Sequence, residues 1–188
     1  MKNKETLILS TLIALLFFVY GAAYLFSYQV NGEHFLYFSL SDGLIYAQYV
    51  KNMILGYFYQ YNVGENSTGT TSFLWPFIVY SFAKLISVDP INTHIVFHAV
   101  SFILIVSSNI IFFKIILNLT KNELLSFVAT LVNILYFKLI WSTMSGLEIN
   151  LAIFILHLSV YFFITNRMYS FIFVSSLFYL ARPEMILL

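Results

Sequence analysis

Apolar side chains run through this chain in long blocks, and the polar interruptions between them decide which blocks can cross a bilayer. Residues 7–28 form the first block, after the short basic start MKNKET, and only small or aromatic polar residues break it. A signal-peptide core of about 7 to 15 residues would be shorter. The block reads as a retained first span, with Lys2 and Lys4 holding its start in the cytoplasm. Residues 93–118, 124–141, 147–165 and 169–188 are further blocks close to the roughly 20 residues that a helix needs to cross hydrocarbon. That makes about five spans.

Residues 31–72 are too polar to cross. Ser41 or Asp42 can cap a helix beginning at Gly43 by accepting a backbone N–H. Leu44, Ile45, Tyr49, Ile54 and Leu55 then recur near helical spacing, while Gln48, Lys51 and Asn52 take the other side. The pattern predicts an amphipathic helix over 43–56 at the interface, stopped by Gly56. Residues 61–72, YNVGENSTGTTS, read as a polar loop whose hydroxyls and amides suit hydrogen bonding to a ligand. Residues 73–88 fall short of a span and carry Lys84 inside. If they crossed, Lys114, Lys121 and Arg167 would flank outward ends; kept on the surface, they leave those cations inside with Lys2 and Lys4, as the positive-inside rule favours. The expected fold is an all-α integral membrane protein, one polytopic helix bundle over 1–188. Its long first outer loop, 29–92, holds surface helices at 43–56 and 73–88.

Composition removes the competing classes. Charged residues make up 9% of the 188, against roughly 25% in a soluble domain, and the mean hydropathy is +0.88. A net charge of +1 is uninformative about nucleic acid, and no basic stripe points to such a partner. The absence of cysteine excludes disulfides, thiolate metal sites and a cysteine nucleophile.

Against this apolar background Asp42, Glu148, Arg182 and Glu184 stand out, because a charge at membrane depth costs at least about 2.5 to 3.5 kcal/mol. The expected topology puts Asp42 and Glu148 at the same outer face. Two carboxylates in one cleft could hold a cation, or divide the roles of base and orienting group. Each charge also has a plainer reading. Asp42 can be a helix cap, Glu148 an acid in the first turn of the helix after Ser145-Gly146-Leu147, and Arg182 with Glu184 a structural pair around Pro183 in the last helix. His94 and His98 stand one turn apart, as metal pairs do, but lack a third ligand, which favours packing.

The ordered set Asp42-Gly43, Tyr46-Ala47-Gln48, Lys51-Asn52, Tyr61-Asn62-Val63-Gly64-Glu65, Gly69-Thr70-Thr71-Ser72-Phe73-Leu74-Trp75, Ser145-Gly146-Leu147-Glu148 and Ala181-Arg182-Pro183-Glu184 resembles the membrane-embedded glycosyltransferases of the GT-C fold. The likeness is to the bacterial branch that includes terminal arabinofuranosyltransferases. The first outer loop resembles the catalytic loop of protein O-mannosyltransferases and oligosaccharyltransferase catalytic subunits. Where relatives show two adjacent acids, this chain has Ser41-Asp42.

The resemblance implies inverting transfer of a sugar from a polyprenyl-phosphate carrier to a glycan or other acceptor hydroxyl, on the outer face of the cell membrane. In that picture Asp42 is the catalytic base and Glu148 orients the acceptor or binds a cation. Arg182 meets the phosphate, and Gln48, Asn62, Thr71, Ser72 and Trp75 line the sugar pocket. A divalent cation, if the reaction uses one, would sit on Asp42 and Glu148. Family members continue through further helices, so a chain ending in Met185-Ile186-Leu187-Leu188 reads as an amino-terminal part. The alternatives are a transporter or flippase-like subunit and a non-catalytic membrane scaffold. A transporter needs its polar groups near the midplane, whereas most here fall in one loop.

Overall fold

The computed structural model describes residues 2–31, 41–65, 67 and 69–183. Among them the only regular structure is helix, about 80% of those residues, with no strand. The first helix, α1 (Lys2–Asn31), outruns the apolar block of 7–28 at both ends, because polar residues such as Lys, Glu and Gln still favour helix where the hydrocarbon pattern stops. Next comes α2 (Ser41–Ile54), with Asp42 in its first turn and Lys51 in its last, both favourable to the helix dipole. Gly56, at φ +98, ends it in the left-handed conformation that glycine adopts at low cost. The Gly56 and Tyr57 N–H groups then donate to Met53 and Asn52 carbonyls.

The inward face of α2 is Tyr46, Tyr49, Val50 and Met53, while Leu44, Ile45 and Leu55 are exposed. This corrects the expected apolar stripe. The helix has apolar residues on two sides, and only tertiary packing chooses which side is covered. Asn52 is likewise buried rather than on the polar side, because its amide donates to the carbonyls of Gln60 and Tyr61, both at 2.8 Å.

The short helix α3 (Leu74–Leu85) follows, then a 3-10 turn (Pro90–Asn92) and the 28-residue α4 (Thr93–Thr120). The expected single span 124–141 is instead two helices, α5 (Glu123–Ile134) and α6 (Phe137–Met144), bent by 52°. No glycine or proline lies at the break, so the sequence carries no signal for it. The last two helices are α7 (Ile149–Ile164) and α8 (Met168–Ala181). The expected helix 169–188 stops at Ala181, since Pro183 drives Arg182 out of the helical region to φ −155, ψ 104.

Cross-contacts give the helix directions. Tyr24 meets His98 and Phe17 meets Phe102, so α1 and α4 are antiparallel. Asn150 meets Ser101 and His157 meets Ser108, so α4 and α7 are parallel. The bent α5–α6 pair climbs back beside α4, bringing the Thr143 carbonyl to His98. Successive long elements therefore alternate in direction. One end of the bundle gathers the start of α1 with Lys114, Lys121 and Arg167. The other gathers α2, α3 and the residues around 145–150 and 181–182.

Two helices, α1 and α4 with its 3-10 turn, are long and apolar enough to cross a membrane, and the bent α5–α6 pair makes three if it is one span. At 16 and 14 residues, α7 and α8 reach only about 24 and 21 Å, short of a hydrocarbon core of about 30 Å. One apolar core joins α1 to α4, α5 and α6 through Leu16, Ile105, Phe113, Ile134 and Leu139. A second seats α2 and α3 on α4, α7 and α8 through Val50, Trp75, Val79, Phe97 and Leu151.

Candidate functional site

The site lies where α2, the loop before α3, the α6–α7 turn and the end of α8 meet. Gly146, at φ +73, turns the chain between α6 and α7, and its carbonyl accepts from Trp75 Nε1 at 2.9 Å. Ser145 Oγ donates to the Ser142 carbonyl at 2.7 Å and accepts from Leu147 N–H at 3.3 Å. This turn delivers Glu148 to the N-cap position of α7, where its side chain makes no capping bond. The carboxylate turns instead to Arg182, with Oε1 3.3 Å from Nε. Glu148 thus stands at the N-terminus of α7, where its charge suits the helix dipole, without making a capping bond.

Arg182 comes to the same place from the other direction. The loop before α3 holds the end of α8, since Phe73 N–H and Ser72 Oγ donate to the Leu180 carbonyl at 3.1 and 3.4 Å. These bonds satisfy a carbonyl that the helix end leaves without an internal partner. The extended Arg182 then presents its guanidinium to Glu148. Glu148 is 5% exposed and Arg182 36%, so the pair is buried on the acid side and open on the basic side. Among the described residues Glu148 Oε2 is buried with no hydrogen-bond partner.

Tyr46 closes the cluster from α2. Its hydroxyl shares a 2.6 Å hydrogen bond with Thr71 Oγ1. Burial, and after it the charge of the Glu148 carboxylate, hold that hydroxyl well above the usual phenol range. Asp42 stands exposed one helical turn before Tyr46 on the same face, an axial step of about 6 Å.

The structure thus brings Thr71, Glu148 and Arg182 together, with Asp42 one turn away. Two of the other expected residues, Gln48 and Asn62, lie away from them, while Ser72 and Trp75 are packed directly beneath. Gln48 lies about 200° around α2 from Tyr46 and faces the start of α4. Asn62 is exposed and donates to Glu65 Oε2 at 3.1 Å. Ser72 and Trp75 are fully buried, Ser72 Oγ accepting from Trp75 N–H at 3.2 Å, so they sit inside the fold beneath the cluster. The reason is shared: much of the loop's polar chemistry is spent on holding the loop. Tyr49 binds Ser67 at 2.6 Å, Tyr59 donates to the Phe73 carbonyl at 2.7 Å, and Thr70 donates to the Ser72 carbonyl at 2.6 Å. Glu184 falls outside the described residues.

Sequence reasoning missed Tyr46 as a site residue. Its signal was present, since it follows Asp42 by the four residues that stack side chains on one helix face. Arg182 places positive charge against Glu148, and among the described residues no three His, Cys, Asp or Glu side chains converge.

No protein-family model, no curated protein and no solved structure matches this chain. The chemistry of the Tyr46–Thr71–Glu148–Arg182 cluster is therefore what remains to read.

Proposed function

We propose that this chain belongs to an integral-membrane glycosyltransferase that moves a sugar from a polyprenyl-phosphate carrier to an acceptor hydroxyl on the outer face. The observation that supports the reading most is the convergence of three remote segments, around Thr71, Glu148 and Arg182, beside the one surface helix that begins with an exposed acid.

Asp42 takes the acceptor proton as the acceptor oxygen attacks the anomeric carbon. The bond from that carbon to the carrier phosphate breaks with its electron pair on the phosphate oxygen, and the configuration inverts. Arg182, a third exposed on its open side, holds the departing phosphate. Glu148 fixes the guanidinium, and its Oε2 accepts from a sugar hydroxyl. Tyr46 and Thr71 wall the cleft. The leaving group is already a good one, so no strong acid is required.

The test is sugar transfer in membranes that contain the protein, supplied with a labelled polyprenyl-phosphate sugar. Asp42→Asn should lower transfer at least about 100-fold at unchanged protein level; unchanged transfer overturns the assignment. Topology is checked separately with cysteines at the exposed Asn62 and Asn118. An impermeant thiol reagent applied outside should label the first and spare the second.

A further inference from the structure

Between α1 and α4, against the end of α6, lies a pocket of about 390 Å³. It shares no residue with the Tyr46–Thr71–Glu148–Arg182 cluster. Its two long walls are residues 17–24 of α1 and 95–102 of α4, and these are the two helices long and apolar enough to cross a membrane. In a bilayer the space between them meets lipid rather than water.

Two small residues make the room. Gly21 on α1 has nothing within 4 Å of the place a Cβ would take, and Ala99 lines the opposite wall from α4. A gap left unfilled forfeits the dispersion contacts of its lining, so a neighbouring hydrocarbon chain is drawn into it. The lining also changes from one end to the other. Toward the end of the bundle that carries α2 and α3, Tyr24 and His98 meet edge to face at 6.2 Å and bring polar ring atoms to the rim, as aromatic residues do at the boundary with headgroups. Seven residues further down α1, about 10 Å, Phe17 packs edge-on against Phe102 at 4.8 Å. Among the described residues no Asp, Glu, Lys or Arg lines the pocket. The Thr143 hydroxyl in its wall is already spent on the Leu139 carbonyl and the Asn150 amide, at 3.0 and 2.9 Å.

We propose that this pocket holds one acyl chain of a phospholipid from the leaflet next to α2 and α3. The ester region lies at Tyr24 and His98, and the chain runs past Gly21 and Ala99 to Phe17 and Phe102. The order of the lining, polar at the rim and hydrocarbon toward the bilayer centre, is the order of groups along such a lipid. At 390 Å³ the pocket is at the small end of ligand sites, with room for a chain segment and none for a headgroup. The site stands whether or not the chain transfers sugars.

The experiment counts the lipid kept by the purified chain, using native mass spectrometry during titration with dioleoyl phosphatidylcholine in detergent. The parent should retain one lipid before any others. Gly21→Phe and, from the other wall, Ala99→Leu each place a side chain where the acyl chain runs. Each should raise the lipid concentration needed at least about tenfold, as overfilling a packed space does. Leu25→Phe, at an exposed position of α1 outside the pocket, should retain lipid as the parent does. Thermal unfolding in detergent identifies the filling variants that keep the parent's midpoint, and their positions on different helices keep the result independent of either one. No retained lipid in the parent, undiminished retention in a filling variant with the parent's midpoint, or equal loss in Leu25→Phe overturns the proposal and leaves adventitious lipid only.

Discussion

The bundle interior and its capped end both bury polar side chains, but they treat them differently. Inside, polar groups pair across helices. Ser108 and His157 join α4 to α7 at 2.7 Å, and Asn133 on α5 donates to Asn109 on α4 at 3.0 Å. Asn150 on α7 accepts from Ser142 at 2.7 Å and donates to Thr143 at 2.9 Å. Where a group there lacks a partner, as at Ser101 and Ser159, it is a neutral hydroxyl. At the capped end, among the described residues, a carboxylate oxygen, Glu148 Oε2, is buried without a hydrogen-bond partner. A buried donor or acceptor without a partner costs about 1 to 3 kcal/mol, and more when the group is charged. Neutral pairs between helices hold the bundle together, whereas at the capped end a carboxylate paired with Arg182 through Oε1 keeps a second, buried oxygen.

The sharpest way to break this contrast is Glu148→Gln. It should lower sugar transfer about 100-fold by displacing Arg182 and the acceptor, with little change in the unfolding midpoint in detergent. Asn150→Ala should do the reverse. Losing its bonds to Ser142, Thr143 and the Ser101 carbonyl should cost about 2 kcal/mol of stability, at roughly 0.6 kcal/mol per membrane hydrogen bond, read by denaturant unfolding. If the two variants behaved alike, the division between holding and acting groups would fall. Asn133→Ala removes a single bond and should cost about 0.6 to 1.7 kcal/mol in the same measurement.

The smallest effect is on pH dependence. The Tyr46 hydroxyl titrates higher in the fold than the unfolded value of about 10. Its contribution to stability is therefore whole below pH 10 and falls as pH rises above that value. Alkaline titration of stability should show a steeper decline in the parent chain than in Tyr46→Phe, and equal slopes would place the hydroxyl outside the buried cluster.

Much of the fold was legible because hydrophobic block length needs no partner to be read. The blocks at 7–28 and 93–118 are helices α1 and α4, and the surface helices expected at 43–56 and 73–88 are α2 and α3 with small shifts at their ends. The break between α5 and α6 was not legible, since no residue at 135–136 forbids a helix. The inward face of α2 was hidden for a related reason: Leu44 and Ile45 are as apolar as Val50 and Met53. In the site, Glu148 and Arg182 were visible as charges out of place. The framework role of Ser72 and Trp75 was not, because a hydroxyl or indole in a loop looks the same whether it meets a ligand or a backbone carbonyl.

The sequence by itself determined an all-helical chain with segments able to cross a membrane, because the period and length of apolar runs are local properties. Only the tertiary structure decided that Glu148 pairs with Arg182, that Tyr46 rather than Gln48 faces them, and that Trp75 is inside. Those facts depend on contacts between segments 34 to more than 100 residues apart, and no local pattern encodes which distant surface a helix face will meet.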